Sequence, residues 1–348
     1  MVVAVAWASC MTVGGAAQPE FAWRQLGPAA AGGRVAAVAG TDLNPYLYYL
    51  GAAGGGVFKT IDGGLRWHDV WTAQTVGAIG AIAISPRDQN DVWVGTGEPF
   101  PRNDASNGDG IWRTRDGGAH WTWLGLPKSW AIAGISLDPR DPNVAIAAAL
   151  GDPFRDGGER GIYRTADGGR TWTRALYAGP QSGACDLARD AQHPGVMYAC
   201  IWQIRRRPWT FTSGGDEDGL YRSSDGGRSW RRLSGDGLPR GIMGRIGIAI
   251  APSDSKRIYA LIQSTSGLLW RSDDGGSHWR LMSRDTLIDQ RPFYFSRLIV
   301  DPTDRDHVFF ASEDLIETWD GGRTFRDLSD AVHQDHHGFW ISRNGRRL

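Results

Sequence analysis

Three stretches of this sequence concentrate side chains that can act on a polar ligand. The first, Thr96 to Asp109, carries Glu98, Arg102, Asn103 and Asp109. The second, Gly151 to Arg160, carries Asp152, Arg155 and Glu159. The third, Gln203 to Asp218, follows Trp202 and carries Arg205, Arg206, Arg207 and Trp209. Aromatic faces beside carboxylates and arginines suit carbohydrate or peptide recognition, because the ring supplies apolar contact while the forked groups fix orientation. Glu98, Asp109, Asp152 and Glu159 are also the candidates for glycosidic hydrolysis, which needs two carboxyl groups flanking one bond. The plainer alternative is a set of solvated loops around a structural tryptophan.

A fourth group lies near the C-terminus. His333, Asp335, His336 and His337 form the densest imidazole cluster. Neighbouring residues of an extended strand point to opposite faces, so these histidines do not converge on a metal ion. With Arg291 and Tyr294 they are expected to line the same face as the three loops. Neither a metal nor a cofactor is expected. Cys185 and Cys200 sit equidistant from a turn around 191–195, so a symmetric hairpin would bring them face to face. A cross-strand disulfide and two separate buried thiols are both open readings.

The elements that must hold these residues are announced by a repeat. Val57 to Trp67 reads VFKTIDGGLRW, and the pattern returns at Ile111, Ile162, Leu220, Leu269 and Leu315. The last copy, LIETWDGGRTF, has drifted at its aromatic, basic and tryptophan positions. The repeated aspartates Asp62, Asp116, Asp167, Asp225, Asp274 and Asp320 recur every 46 to 58 residues, the spacing of a propeller blade plus loop insertions. The carboxylate and the preceding Ser or Thr bind backbone N–H groups of a turn, and the Gly-Gly pair takes up positive φ. These six aspartates are therefore structural. Each is preceded by an apolar run, a Pro/Asp/Asn turn and an alternating strand, as in Ala81 to Gly95.

The fold expected is all-β: a β-propeller of four-stranded antiparallel blades, six recognisable plus the start of a seventh at 333–348. Abundant Gly (48) with Trp (17) fits many tight turns between short strands. Lys+Arg and Asp+Glu balance at 38 each, which argues against nucleic acid or an anionic membrane as partner. Residues 1–17 are apolar, end in Gly15-Ala16-Ala17 and read as a signal peptide, though no basic residue precedes the apolar run. The remainder, 18–348, is one propeller domain, truncated at its C-terminus if a seventh blade belongs to it. No segment is long and apolar enough to span a bilayer. The expected location is secreted, periplasmic or cell-envelope.

The boxes resemble the BNR, or Asp-box, repeat family. Gln25-Leu26-Gly27-Pro28, Gly32-Gly33-Arg34-Val35 and Gly51 to Gly56 add a likeness to the N-terminal part of bacterial sortilin-like and glycosyl-hydrolase-like BNR-repeat proteins. Wider relatives include sialidases, xyloglucan-active glycosidases, the sortilin receptor domain and a photosystem assembly factor, so the fold does not dictate the function. A sialidase would need an arginine cluster, which Arg34, Arg245 and Arg297 suggest, but the F/Y-R-I-P start is missing. The expectation is an exported binding module for protein, peptide or glycan on the loop face of blades 2–4. The alternative is a glycoside hydrolase, sialidase- or xyloglucanase-like, using a carboxylate pair on that face.

Overall fold

The computed structural model describes residues 33–234 and 236–348, so the expected signal peptide and the Gln25–Pro28 likeness lie outside the described residues. Six antiparallel sheets follow one another along the chain. Blade 1 holds β1 (Val35–Gly40), β2 (Tyr48–Ala52), β3 (Gly56–Thr60) and β4 (His68–Asp69). Blade 2 holds β5 (Ile79–Ser85), β6 (Asp88–Thr96), β7 (Ile111–Thr114) and β8 (Thr122–Trp123). Blade 3 holds β9 (Ile132–Leu137), β10 (Ala145–Ala149), β11 (Gly161–Thr165) and β12 (Thr173–Leu176). Blade 4 holds β13 (Ser182–Arg189), β14 (Met197–Arg207), β15 (Thr210–Ser213), β16 (Gly219–Ser223) and β17 (Arg231–Arg232). Blade 5 holds β18 (Ile246–Ile250), β19 (Ile258–Ile262), β20 (Leu269–Ser272) and β21 (Arg280–Ser283). Blade 6 holds β22 (Arg297–Val300), β23 (Val308–Ala311), β24 (Leu315–Thr318) and β25 (Arg326–Asp327).

The apolar core lies between blades. Tyr49 and Val57 of blade 1, for example, pack with Ile79, Val92 and Val94 of blade 2. Gly95 on β6 lies where a Cβ would collide with Ile132 of blade 3, so a larger residue would wedge these sheets apart. The innermost strands β1, β5, β9, β13, β18 and β22 surround an axial cavity of about 370 Å³.

Each repeated turn folds alike. In blade 1 the Thr60 hydroxyl donates to Asp62 Oδ1 at 2.7 Å and accepts from Gly64 N at 3.0 Å, while Asp62 Oδ1 accepts from Arg66 N at 3.0 Å. Gly63 and Gly64 take φ of 76° and 98°, which a side chain rarely tolerates. The turns emerge at the end opposite the long loops.

In four of the six blades the basic residue of the third strand staples its blade to the next turn, a role not expected from the sequence. Lys59 Nζ donates to Gly117 O at 2.8 Å, and Arg113 Nη1 to Gly168 O at 3.4 Å. Arg164 Nε reaches Gly226 O at 3.3 Å, and Arg271 Nη1 reaches Gly321 O at 2.9 Å. In blade 4 the Tyr198 hydroxyl makes the bond to Gly275 O at 2.7 Å, with Arg222 Nε behind it at 3.2 Å. Blade 6 departs. Glu317 stands in the basic position and instead meets His307 Nε2 at 3.2 Å and Arg326 Nε at 2.7 Å.

The expected start of a seventh blade forms no strand. Residues 333–348 pack as an irregular strap across the seam between blades 6 and 1. Asp335 N and His336 N donate to Glu313 O and Ser312 O of blade 6, both at 2.8 Å. Phe339 lies 5.2 Å from Phe309, Trp340 lies edge-on 5.7 Å from Tyr48, and Arg343 N donates to Asp42 at 3.0 Å. His337, Gly338 and Phe339 line the axial cavity with the inner strands.

Blade 4 brings one further correction and separates the two readings left open for its cysteines. The stretch 203–218 is largely a hairpin extension, β14 pairing with β15 from Ile204–Ser213 to Arg207–Thr210. The two cysteines are free, buried thiols and form no disulfide. A bulge between Ala184 and Asp186 breaks the symmetric register, so Asp186 and not Cys185 stands opposite Cys200. Cys185 Sγ instead lies 3.4 Å from Ile246 O, and burial pushes its thiol up to about 12.

Candidate functional site

The three long loops lock into one surface on the face opposite the repeated turns. Arg206 of the β14–β15 hairpin joins all three: its Nε donates to Asn103 Oδ1 in blade 2 at 2.7 Å, and its N donates to Pro153 O in blade 3 at 2.7 Å. Arg205 pairs with Asp156 of the blade 3 loop. Gly108 N donates to Trp130 O at 2.7 Å, tying the blade 2 loop to the connection before blade 3. Trp209 stands exposed at the hairpin tip, and exposed Phe154 lies edge-on to Trp130 at 5.8 Å. Arg155 and Arg207 reach solvent on the same loops.

The blade 3 loop is held by a residue absent from the expected set. Arg160 is fully buried without a carboxylate partner. Its guanidinium donates to Gly157 O at 2.9 Å, Leu150 O at 3.0 Å and Arg155 O at 2.7 Å, and also to Gln181 O and Asp152 O. Its signal in the sequence is faint: an arginine closing a glycine-rich loop that offers carbonyls and few side chains.

The four expected carboxylates are engaged by the protein itself. Glu98 is buried between Arg34 and Arg102, the latter at 3.4 Å. Asp109 accepts from the Thr96 hydroxyl at 3.0 Å and from Trp112 Nε1 at 2.9 Å, which secures the loop base. Asp152 caps its own turn through Phe154 N at 2.8 Å, and Glu159 accepts from Lys128 N at 2.6 Å. Asp218, which closes the third stretch, is pushed up to about 8 by burial despite accepting from Gln203 N and Gly215 N. It is fully buried and cannot meet a ligand.

Phe100 is the central surprise. The blade 2 loop carries it inward until it is fully buried at the head of the axial cavity. There it lies 4.3 Å from the His337 ring, 6.4 Å from Tyr294, and beneath Arg245 and Arg297 at 5.2 and 5.5 Å. Arg34, Arg245 and Arg297 do converge, but around this plug. Arg245 donates to Pro99 O at 3.2 Å and Phe293 O at 3.0 Å, while Arg297 spans the axis to Asp186 and Ala133 O, both at 3.2 Å. No open carboxylate-binding cradle remains among these three. Burial and the charges of Arg34, Arg245, Arg297 and Arg102 push His337 down to about 2, so it is neutral.

Other expected residues scatter. Trp202 is fully buried, its indole donating to Ser213 Oγ at 3.0 Å under Arg245, so it belongs to the core and not to a ligand face. Tyr294 is buried against Phe100 and Phe295. Arg291 lies 3.4 Å from Glu313. His336 is half-buried on blade 6, and its pKa is lowered by burial. Among the described residues, no group of three or more His, Cys, Asp or Glu side chains gathers to hold a metal ion. No described helix is long and apolar enough to cross a membrane.

No family model matches the chain. It is similar to the oligoxyloglucan-reducing end-specific xyloglucanase of Emericella nidulans, 22% identical over 343 residues that take in 87% of this chain and 39% of that protein. A xyloglucanase of Paenibacillus sp is 24% identical over 262 residues, 68% of this chain and 24% of that protein. The chain thus spans well under half the length of these relatives. Among solved structures, the GH74 enzyme of Niastella koreensis matches 89% of this chain and 61% of its own, with a TM-score of 0.58 and 14% identity. An ancestral GH74 enzyme matches 84% of this chain and 37% of its own, with a TM-score of 0.60 and 18% identity. YCF48 bound to D1 peptide covers 85% of this chain and 82% of its own, with a TM-score of 0.53 and 16% identity. These likenesses establish the propeller fold.

Proposed function

We propose that this protein is an exported, glycoside-hydrolase-like propeller that takes up a xyloglucan-type polysaccharide on the loop face of blades 2–4. The observation that carries the reading is the locked surface built on Arg206. It holds Trp209 and Phe154 exposed on rigidly connected loops, with Arg155 and Arg207 beside them. Sugar rings present C–H faces that stack on such aromatics, and their hydroxyls accept from guanidinium groups. The similarity to two xyloglucanases favours glycan over peptide. Hydrolysis needs two carboxyl groups about 5–10 Å apart across the bond, and Glu98, Asp109 and Glu159 are committed to loop structure. Binding is therefore the first part of the reading, and cleavage is measured separately.

The test is retardation of the full chain in gels containing xyloglucan, beside release of new reducing ends. Retardation is expected, weakened at least tenfold by Trp209→Ala combined with Phe154→Ala. Mobility that xyloglucan leaves unchanged would sink the proposal. A second reading, peptide binding, rests on one feature: β15 pairs only with β14, leaving an edge to which an extended peptide can add.

A further inference from the structure

Blade 3 leaves the cation of its third strand without the partners that the other blades provide. In blades 1, 2, 4 and 5 that cation stands opposite a ring: Lys59 opposite Tyr49, Arg113 opposite Trp93, Arg222 opposite Tyr198 and Arg271 opposite Tyr259. Arg164 stands opposite Ile146, which offers neither a π face nor a hydrogen bond. A carboxylate is missing as well. Arg113 is clamped by Asp91 at 2.6 and 2.7 Å and also reaches Pro142 O at 3.2 Å, while Arg271 has Asp273 at 3.2 Å. In register, the place of Asp91 is held in blade 3 by Val144. The carbonyl that corresponds to Pro142 O is Pro194 O, and Arg189 Nη1 already occupies it at 2.6 Å. Among the described residues no carboxylate pairs with Arg164, and its side chain makes one hydrogen bond, the staple to Gly226 O at 3.3 Å.

Half-buried Arg164 lines a pocket of about 420 Å³ between the turns of blades 3 and 4. Arg228 of the blade 4 turn lines it too, its Nη1 donating to the Asp225 carbonyl at 2.8 Å and to no carboxylate. The acids of the pocket are engaged elsewhere. Asp138 is paired with Arg140 at 2.9 Å and with Arg189 at 3.4 Å. Asp225 accepts from the Ser223 and Ser229 hydroxyls at 2.8 and 2.6 Å, and Asp141 accepts from Asn143 N at 2.9 Å. Burial, and after it the charge of Arg228, lower the Arg164 pKa from the usual arginine value. Arginine keeps its proton nonetheless, so two positive charges share one pocket and neither has a counter-charge of its own.

We propose that the pocket between the blade 3 and blade 4 turns seats a tetrahedral oxyanion, a phosphoryl or sulfuryl group, on Arg164, where blade 2 uses Asp91. A guanidinium fork matches two oxygens of such a group as it matches a carboxylate. Two uncompensated arginines favour a phosphate, with nearly two charges at neutral pH, over a single carboxylate. The pocket is larger than the bare ion, so a phosphate ester fits with its phosphoryl oxygens on Arg164 and its remainder toward solvent. The site lies on the turn face and is independent of glycan uptake on the loop face.

The experiment titrates the full chain with inorganic phosphate, sulfate and glucose 6-phosphate in a calorimeter, with ionic strength held constant by sodium chloride. Saturable binding is expected, with glucose 6-phosphate the tightest. Val144→Asp gives blade 3 the carboxylate that blade 2 already has. It is expected to weaken binding about tenfold or more, and to melt no lower than the wild type, because Arg164 is then paired internally. Arg228→Gln, at an exposed position, should weaken binding about threefold with an unchanged melting temperature. The tighter of the phosphate and ester arms identifies the free ion or an ester as the source, provided that both variants weaken it. Binding that neither variant weakens is an adventitious ion only and overturns the proposal. So does the absence of heat beyond dilution with all three probes.

Discussion

The hydroxyl that opens each Asp-Gly-Gly turn carries more structure than its size suggests. Thr114 is buried; its Oγ1 accepts from Gly118 N at 2.9 Å and donates to Asp116 at 2.7 Å. Thr114→Val keeps the shape and strands the Gly118 N–H without an acceptor. The expected cost is about 1–3 kcal/mol by denaturant melting, because a buried donor left unpaired loses its full solvation. The carboxylates of these turns sit low for a related reason. His120 N and the Thr114 hydroxyl hold Asp116 well below the ordinary range, and at Asp274 the His278 bonds outweigh burial and hold it at about 2. A depressed carboxyl contributes stability above its unfolded pKa near 4, and that contribution is lost as pH falls toward 2. At this scale the sequence was legible, since Thr-x-Asp-Gly-Gly is local chemistry read from neighbours in the chain. Phe100 and Arg160 were not legible, because their partners come from distant blades and from backbone carbonyls that no residue letter reveals.

At the scale of elements, the staple explains both a regularity and its exception. Arg113 is buried between Asp91, at 2.6 and 2.7 Å, and the Gly168 carbonyl of the next blade, with Trp93 beneath it at 4.6 Å. Arg113→Met would leave the buried Asp91 charge uncompensated, an expected loss of about 3–5 kcal/mol. Pairing it with Asp91→Leu should recover most of that loss, and thermal melts of the two variants decide the point. The drift of the sixth repeat, a lapse in the sequence pattern, is accommodated within its own sheet, where Glu317 finds His307 and Arg326. The repeat predicted blade number and strand order. It could not show that the third long stretch is a hairpin, because Arg205, Arg206 and Arg207 conceal the period-two alternation by which a strand is recognised.

For the whole molecule, the vulnerable place is the seam that the strap closes. His337 anchors it, stacked on Phe295 at 5.1 Å and facing Arg34, Arg102, Arg245 and Arg297, with Asp335 3.1 Å from its Nε2. Its folded pKa of about 2 lies below the unfolded value of 6.5, so the unfolded chain binds the proton more readily. Stability from this site is present above pH 6.5 and falls as the solution is acidified. Amide exchange at 336–341 is expected to be faster at pH 5 than at pH 7.5. His337→Leu should flatten that difference, and a wild-type profile without slope would contradict the reading. The sequence marked residues 333–348 as something other than a complete blade; only the packing shows that they bridge blade 6 and blade 1.

The staples also run in one direction, each blade reaching toward the turn that follows it. On a ribosome this sets an order of events. Lys59 has no acceptor until Gly117 has been made, Arg113 none until Gly168, and Arg271 none until Gly321. Each of these staples can therefore form only after the following turn has been synthesised, so the outer contacts of a blade are completed later than its own strands. In the sixth blade Glu317 occupies the staple position and is satisfied within its own sheet, by His307 and Arg326.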